Sequence, residues 1–134
     1  MKRFLLDTNV WVYIMSNRYP EVRERFAALL PMSVVMSPVV LGELNLGWRK
    51  SARADANRAL MEEFTRGAVL ELIDAKVAFH YAEIRNELEQ LGTPIGQNDL
   101  WIAAQARATD CVLVTHNRGE FARVRALIVE DWVH

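Results

Sequence analysis

Four acidic side chains occupy places where a solvated surface acid is not expected. Asp7 follows the apolar run Phe4-Leu5-Leu6 with nothing polar between, and Glu43 has Val39, Val40, Leu46 and Gly47 as its neighbours one helical turn away. Asp99 opens an alanine-rich stretch, and Glu120 comes just after the apolar run Cys111–Val114. Singly, Asp7 can end a strand, while Asp99 and Glu120 can be ordinary helix-start acids. Glu43 is harder to place that way, because acids are rarely buried unpaired and no base lies one turn from it. If the four converge, they repel: two unit charges ~4 Å apart cost about 4 kcal/mol at an effective dielectric of ~20. A divalent cation reverses that sign. Oxygen-only donors select hard ions, Mg2+ or Mn2+, and such an ion suits hydrolysis of a phosphodiester.

Competing chemistries lack their parts. The sequence has no GxxxxGK[ST] or GxGxxG loop for a nucleotide and no GxSxG elbow for a nucleophilic serine. Its three histidines, His80, His116 and His134, show no zinc spacing, and a single cysteine excludes a thiolate zinc site. His116 falls near the acids by sequence and reads as a surface residue or supporting donor rather than a general base. Cys111 lies in an apolar run and reads as a small buried thiol.

The elements that must position these residues alternate between strand and helix. Phe4–Leu6, 33–36, 69–73, 111–114 and 126–129 read as strands. Helices are expected over 8–16, 21–30, 37–50, 52–66, 75–91, 99–109 and 120–125. Thr8 or Asn9 caps the first helix, and Ser37-Pro38 is a strong start for the third. Gly67 and Gly92 close two others, and residues 93–98 form a loop. This alternation predicts one α/β domain spanning residues 1–134, with a mostly parallel sheet of about five strands flanked by helices. Ligands of such sheets bind beyond the carboxyl ends of the strands, where all four acids can reach one rim.

A chain of 134 residues, half of them hydrophobic, can build a proper core, and its net charge of −1 means that any contact with nucleic acid must be local. The segment Trp48-Arg49-Lys50-Ser51-Ala52-Arg53 is the candidate: Arg49, Lys50 and Arg53 for phosphate, Trp48 for a base. The same cations also suit a helix carboxyl end. Lys2 and Arg3 precede only a short apolar run, and no stretch approaches the ~20 apolar residues of a membrane span, so an intracellular, cytoplasmic protein is expected.

Four segments, in order, resemble the PIN-domain ribonucleases, specifically the VapC-type toxins of bacterial toxin–antitoxin pairs. They are Phe4-Leu5-Leu6-Asp7-Thr8-Asn9-Val10, the stretch 37–44 around Glu43, the stretch 96–106 around Asp99, and 113–121, Leu-Val-Thr-His-Asn-Arg-Gly-Glu-Phe. The resemblance implies a PIN fold and a metal-dependent endoribonuclease, with tRNA among the expected targets. It implies Asp7, Glu43 and Asp99 as the metal-site acids, with Mg2+ or Mn2+ as cofactor. Where relatives place a further Asp this chain has Asn117, so Glu120 is expected to supply the fourth charge. Asn9 and Thr115 resemble residues that orient the acids. A homodimer and a VapB-type antitoxin occupying the active-site groove are also implied, with Trp11, Tyr13 and the face around Leu60–Phe64 as candidate interface. Two alternatives stand beside this reading. A haloacid-dehalogenase-like phosphatase wants a second Asp where Asn9 stands; a catalytically silent binding module has no reason to keep repelling charges together.

Overall fold

The computed structural model describes residues 1–134. Five short strands, β1 (Phe4–Leu6), β2 (Val34–Met36), β3 (Val69–Leu70), β4 (Val112–Val114) and β5 (Val129–Glu130), form one sheet in the order β3-β2-β1-β4-β5. Every pairing is parallel. Helices α1 (Thr8–Ser16), α2 (Pro20–Ala27), α3 (Pro38–Lys50), α4 (Ala54–Thr65), α5 (Ala75–Gln90), α6 (Gln97–Ala108) and α7 (Arg118–Phe121) supply the connections. This is the α/β architecture with a parallel sheet that the strand–helix alternation predicts. No helix is long and apolar enough to cross a membrane.

β1 is central because both its faces are covered: Phe4, Leu5 and Leu6 are all buried, as are the residues of β2 and β4 on either side. Strands buried on both faces read as continuous apolar runs rather than alternating ones, which is how these three are written in the sequence. Thirty residues form one core, with Trp11, Ile102 and Leu113 fully enclosed. α6 contributes Ala103, Ala104, Ala106 and Ala108, small residues that bring its backbone close to its neighbours. Gln105, buried on the same helix, donates from Nε2 to the Glu71 carbonyl (2.8 Å) and ties α6 to the segment after β3.

The edges differ from expectation. β3 is only Val69–Leu70, both exposed, because an edge strand has a single neighbour and little burial to extend it. β5 begins at Val129 rather than 126, since Ala126 sits at a φ of 61°, a turn conformation incompatible with a strand. The last helix is shorter and earlier, and α6 starts two residues before Asp99 with Gly96 as its cap. Ser33 lies in a 3-10 turn that leads into β2. Trp11 is fully buried and packs edge-on against Phe26, while Met61 is buried and Phe64 leans on Phe26, so these residues are core rather than free surface.

Leu113 lies in β4, beside β1, and is fully enclosed. Truncation to alanine is expected to cost about 2–5 kcal/mol, read from urea unfolding; a loss below about 1 kcal/mol would mean that the centre of this sheet is loosely packed.

Candidate active site

Three parallel strands end at the same rim, and their first residues beyond the sheet build the site. Asp7 extends the β1–β4 ladder by one bond, its N–H donating to the Val114 carbonyl at 2.9 Å. Its side chain is therefore held where the sheet stops, 8% exposed. It is also the cap of α1: Oδ1 accepts the Thr8 N–H at 2.7 Å, so neither Thr8 nor Asn9 caps that helix. Oδ2 accepts the hydroxyl of fully buried Thr115, just beyond β4, at 2.9 Å. That hydroxyl in turn accepts the Asn117 N–H at 3.0 Å. Asp7 is thus fixed at both oxygens by groups from two strands' ends.

Glu43 reaches the rim from α3. Ser37 caps that helix, its hydroxyl accepting the Val39 N–H, and Pro38 follows at the first turn, as the sequence predicts. The Glu43 carboxylate takes the Thr8 hydroxyl at 2.6 Å. Glu120 arrives on α7 and accepts from the Asn117 side-chain amide at 2.9 Å. Asp99 lies in the first turn of α6, where the helix amino end favours negative charge.

The charges of these four groups act on one another. Burial raises the Asp7 carboxyl above its ordinary value, opposed by its bonds to Thr115 and Thr8 and reinforced by the charges of Glu43 and Glu120. Asp99 is pushed from 3.8 to about 7, first by burial, then by its hydrogen bond with Glu120, then by the charges of Asp7, Glu120 and Glu43. Glu120 is lowered by its bonds to Asp99 and Asn117. Of this pair, Asp99 is the acid whose charged form is disfavoured and Glu120 the one whose charged form is favoured. A nearby positive charge would relieve such crowding. The acids are not a ready-made cage, however: no three His, Cys, Asp or Glu side chains are grouped closely enough to hold an ion. The bonds to Thr8 and Asn117 hold the two glutamates where they stand. A cavity of about 400 Å3 opens beside Glu43 and Thr8, lined by Leu44, Trp48, Leu60 and Met61.

This fold and rim match a known family. The PIN domain model covers residues 4–127. The chain belongs to the PIN-domain family, in its VapC branch. Ribonuclease VapC2 of Rickettsia felis is 41% identical over 133 residues, spanning 96% of this chain and 97% of that protein. The tRNA(fMet)-specific endonuclease VapC of Shigella flexneri is 39% identical over 132 residues, 98% of this chain and 99% of the other. Among solved structures, DNA-bound VapBC from Salmonella typhimurium superposes with a TM-score of 0.89 at 37% identity, covering 98% of this chain and 99% of that one. VapBC2 from Rickettsia felis bound to a promoter DNA fragment gives 0.88 at 36%, covering 96% and 98%.

In this VapC-type chain, Asp7, Glu43, Asp99 and Glu120 lie within reach of one another's charge, and Thr115 and Asn117 bond to them directly. Asn9 is exposed and makes no bond to an acid; Thr8, which the sequence suggests only as a cap, holds Glu43 instead. The contact joins positions 35 apart, which no local pattern shows. The cationic segment is partly occupied with itself. Arg49 lies over the Trp48 ring at 4.1 Å and Arg58 at 4.9 Å, while Lys50 and Arg53 are exposed.

The raised Asp99 carboxyl gives a pH signature with a definite sign. Its folded value of about 7 lies above the ordinary 3.8, so its contribution is fully present at low pH and is lost as pH rises toward and through 7. In chelator, the melting midpoint of Asp99→Asn is expected to gain on wild type from pH 5 to about pH 7 and to level off above it. Parallel curves would show that Asp99 is not crowded.

Proposed function

We propose that this chain is a divalent-cation-dependent endoribonuclease and the toxin of a toxin–antitoxin pair. The observation that carries the reading is the gathering of Asp7, Glu43 and Glu120 at one rim, each carboxylate held by Thr8, Thr115 or Asn117, with Asp99 raised by burial, its hydrogen bond with Glu120 and the charges of Asp7, Glu120 and Glu43. The donors are oxygens only, which fits Mg2+ or Mn2+ better than zinc or copper. Asp7, Glu43 and Asp99 would hold the ion once drawn closer together than they stand here, with Glu120 the fourth charge. When bound, such an ion supplies neutralisation of the phosphodiester and acidification of a water.

The chain's own residues do the positioning. Thr115 and the Thr8 N–H fix both oxygens of Asp7, the Thr8 hydroxyl orients Glu43, and Asn117 orients Glu120. Bonds of this kind limit which way each carboxylate can turn, and their loss typically costs ~10–100-fold in metal affinity or activity. The amino end of α6 adds partial positive charge beside the acids, favourable for an incoming phosphate.

The relatives named as tRNA(fMet)-specific endonucleases support tRNA as the substrate class, and arrest of translation as the consequence. The VapBC complexes support a VapB-type antitoxin as partner. The apolar cavity beside Glu43 is a fitting seat for its peptide, since an occupant there lies against the acids. A homodimer is supported by large apolar side chains left exposed, among them Leu72, Phe79 and Leu91. The phosphatase alternative gains nothing, because Asn9 touches none of the acids.

Incubation with total tRNA tests the reading. Cleavage is expected with Mn2+ or Mg2+, to vanish in chelator, and to be lost in Asp7→Ala while the fold survives by circular dichroism. Undiminished cleavage in excess chelator would overturn it. Thr8→Val is expected to raise the Mn2+ concentration for half-maximal cleavage by roughly 10–100-fold; an unchanged requirement would remove Thr8 from the site.

A further inference from the structure

The side of the rim away from the apolar cavity carries a second constellation. Tyr13 of α1 and Tyr19, which precedes α2, pack edge to face with ring centroids 4.7 Å apart. Both lie 6.2 Å from the ring of His116. His116 stands between Thr115 and Asn117, the two residues that brace the acids. Behind it is Asp131, whose side chain is only 7% exposed. One oxygen of Asp131 takes both His116 Nδ1 (2.9 Å) and Arg118 Nε (3.3 Å), and the other accepts the Val133 N–H. A carboxylate partner favours the hydrogen on Nδ1, and the His116 side chain is 45% exposed. Arg118 is anchored through Nε while its side chain stays 72% exposed. Arg18 lies over the Tyr19 ring at 5.4 Å.

We propose that Tyr13, Tyr19 and His116 form a platform for an unpaired RNA base beside the scissile position, with Arg118 taking the adjacent phosphate and Asp131 holding His116 and Arg118 in place. The proposal rests on the nuclease reading and says which side of the site the strand occupies. Four acids repel a polyanion, and the chain's net charge is −1, so attraction must come from anchored cations beside the acids. Rings that are partly solvent-facing, next to such cations, are the ordinary means of gripping an unpaired nucleotide. The opposite side is less suited. The Trp48 ring there carries two guanidinium groups, Arg49 at 4.1 Å and Arg58 at 4.9 Å, whereas Tyr19 carries the one of Arg18 at 5.4 Å. Asp131 is a positioning residue, since it reaches RNA only through the two side chains it holds.

The test is fluorescence anisotropy in chelator, with a labelled RNA hairpin bearing an unpaired loop and a fully paired RNA duplex of equal length. No cleavage is needed, so failure here and failure of the nuclease reading are separate results. The four rim acids are unchanged in every variant, so ratios to wild type report the platform; Asp131→Asn removes a negative charge, which by charge alone would strengthen binding. Tyr19→Ala, His116→Ala and Asp131→Asn are expected to weaken loop binding roughly tenfold, within the range of one stacked base, and to erase the preference for the loop over the duplex. His116→Phe, which keeps a ring, is expected to restore most of it. Arg118→Ala is expected to reduce the salt slope of binding by about 0.7. Melting midpoints identify any variant that fails to fold, and His116→Phe against His116→Ala decides in that case. Equal affinity across the folded variants, loss of binding to loop and duplex alike, or no binding of the loop by wild type would overturn the proposal.

Discussion

The mutual repulsion of carboxylates at the carboxyl ends of the central strands is the constraint on which the rest of the structure turns. Asp7 has no freedom to relieve it. Its backbone is part of the β1–β4 ladder, and its side chain is bonded at both oxygens. The sheet therefore commits one negative charge to a nearly buried position, and three helices bring three more toward it. The protein offsets part of this cost with hydroxyl and amide donors from Thr8, Thr115 and Asn117, and what remains shows as a raised Asp99 carboxyl beside a lowered Glu120.

This arrangement explains why the fold is built as it is. A parallel sheet puts the ends of β1, β2 and β4 on one side, and the helices that leave or enter there carry the acids. The strands can be three residues long because burial on both faces, rather than length, holds them. The small side chains of α6 let that helix pack tightly, which sets the height of Asp99 at its amino end. Packing precision in the core is in this way converted into the placement of charge at the rim.

Much of this is legible in the sequence, for identifiable physical reasons. The central strands announce themselves as unbroken apolar runs, and Ser37-Pro38 fixes the start of α3 by local chemistry that needs no tertiary help. Asp7 stands out because a charge directly after a buried strand is costly unless a partner or ligand meets it there. The edges are less legible, because Val69–Leu70 and Val129–Glu130 are strands only through the one neighbour each pairs with. The shift of β5 follows from the turn at Ala126, whose residue type gives no warning of a left-handed conformation. The bond between Thr8 and Glu43 is also out of reach of the sequence. It depends on how α1 and α3 pack, and a threonine after an aspartate looks like a cap in any sequence. The grouping of Tyr13, Tyr19, His116 and Asp131 is likewise assembled from four segments.

Burial and the charges of Asp7, Glu120 and Glu43 raise the Asp99 carboxyl, and on the proposed reading a bound divalent ion takes the place of its proton. Mn2+ titration by calorimetry, in buffers of differing ionisation enthalpy, reads this directly. Metal binding at a site whose ligands must deprotonate releases protons. Release approaching about one proton per ion is expected at pH 6, shrinking toward none at pH 9, and absent in Asp99→Asn. Binding with no proton release at pH 6, or no binding at all, would contradict that reading.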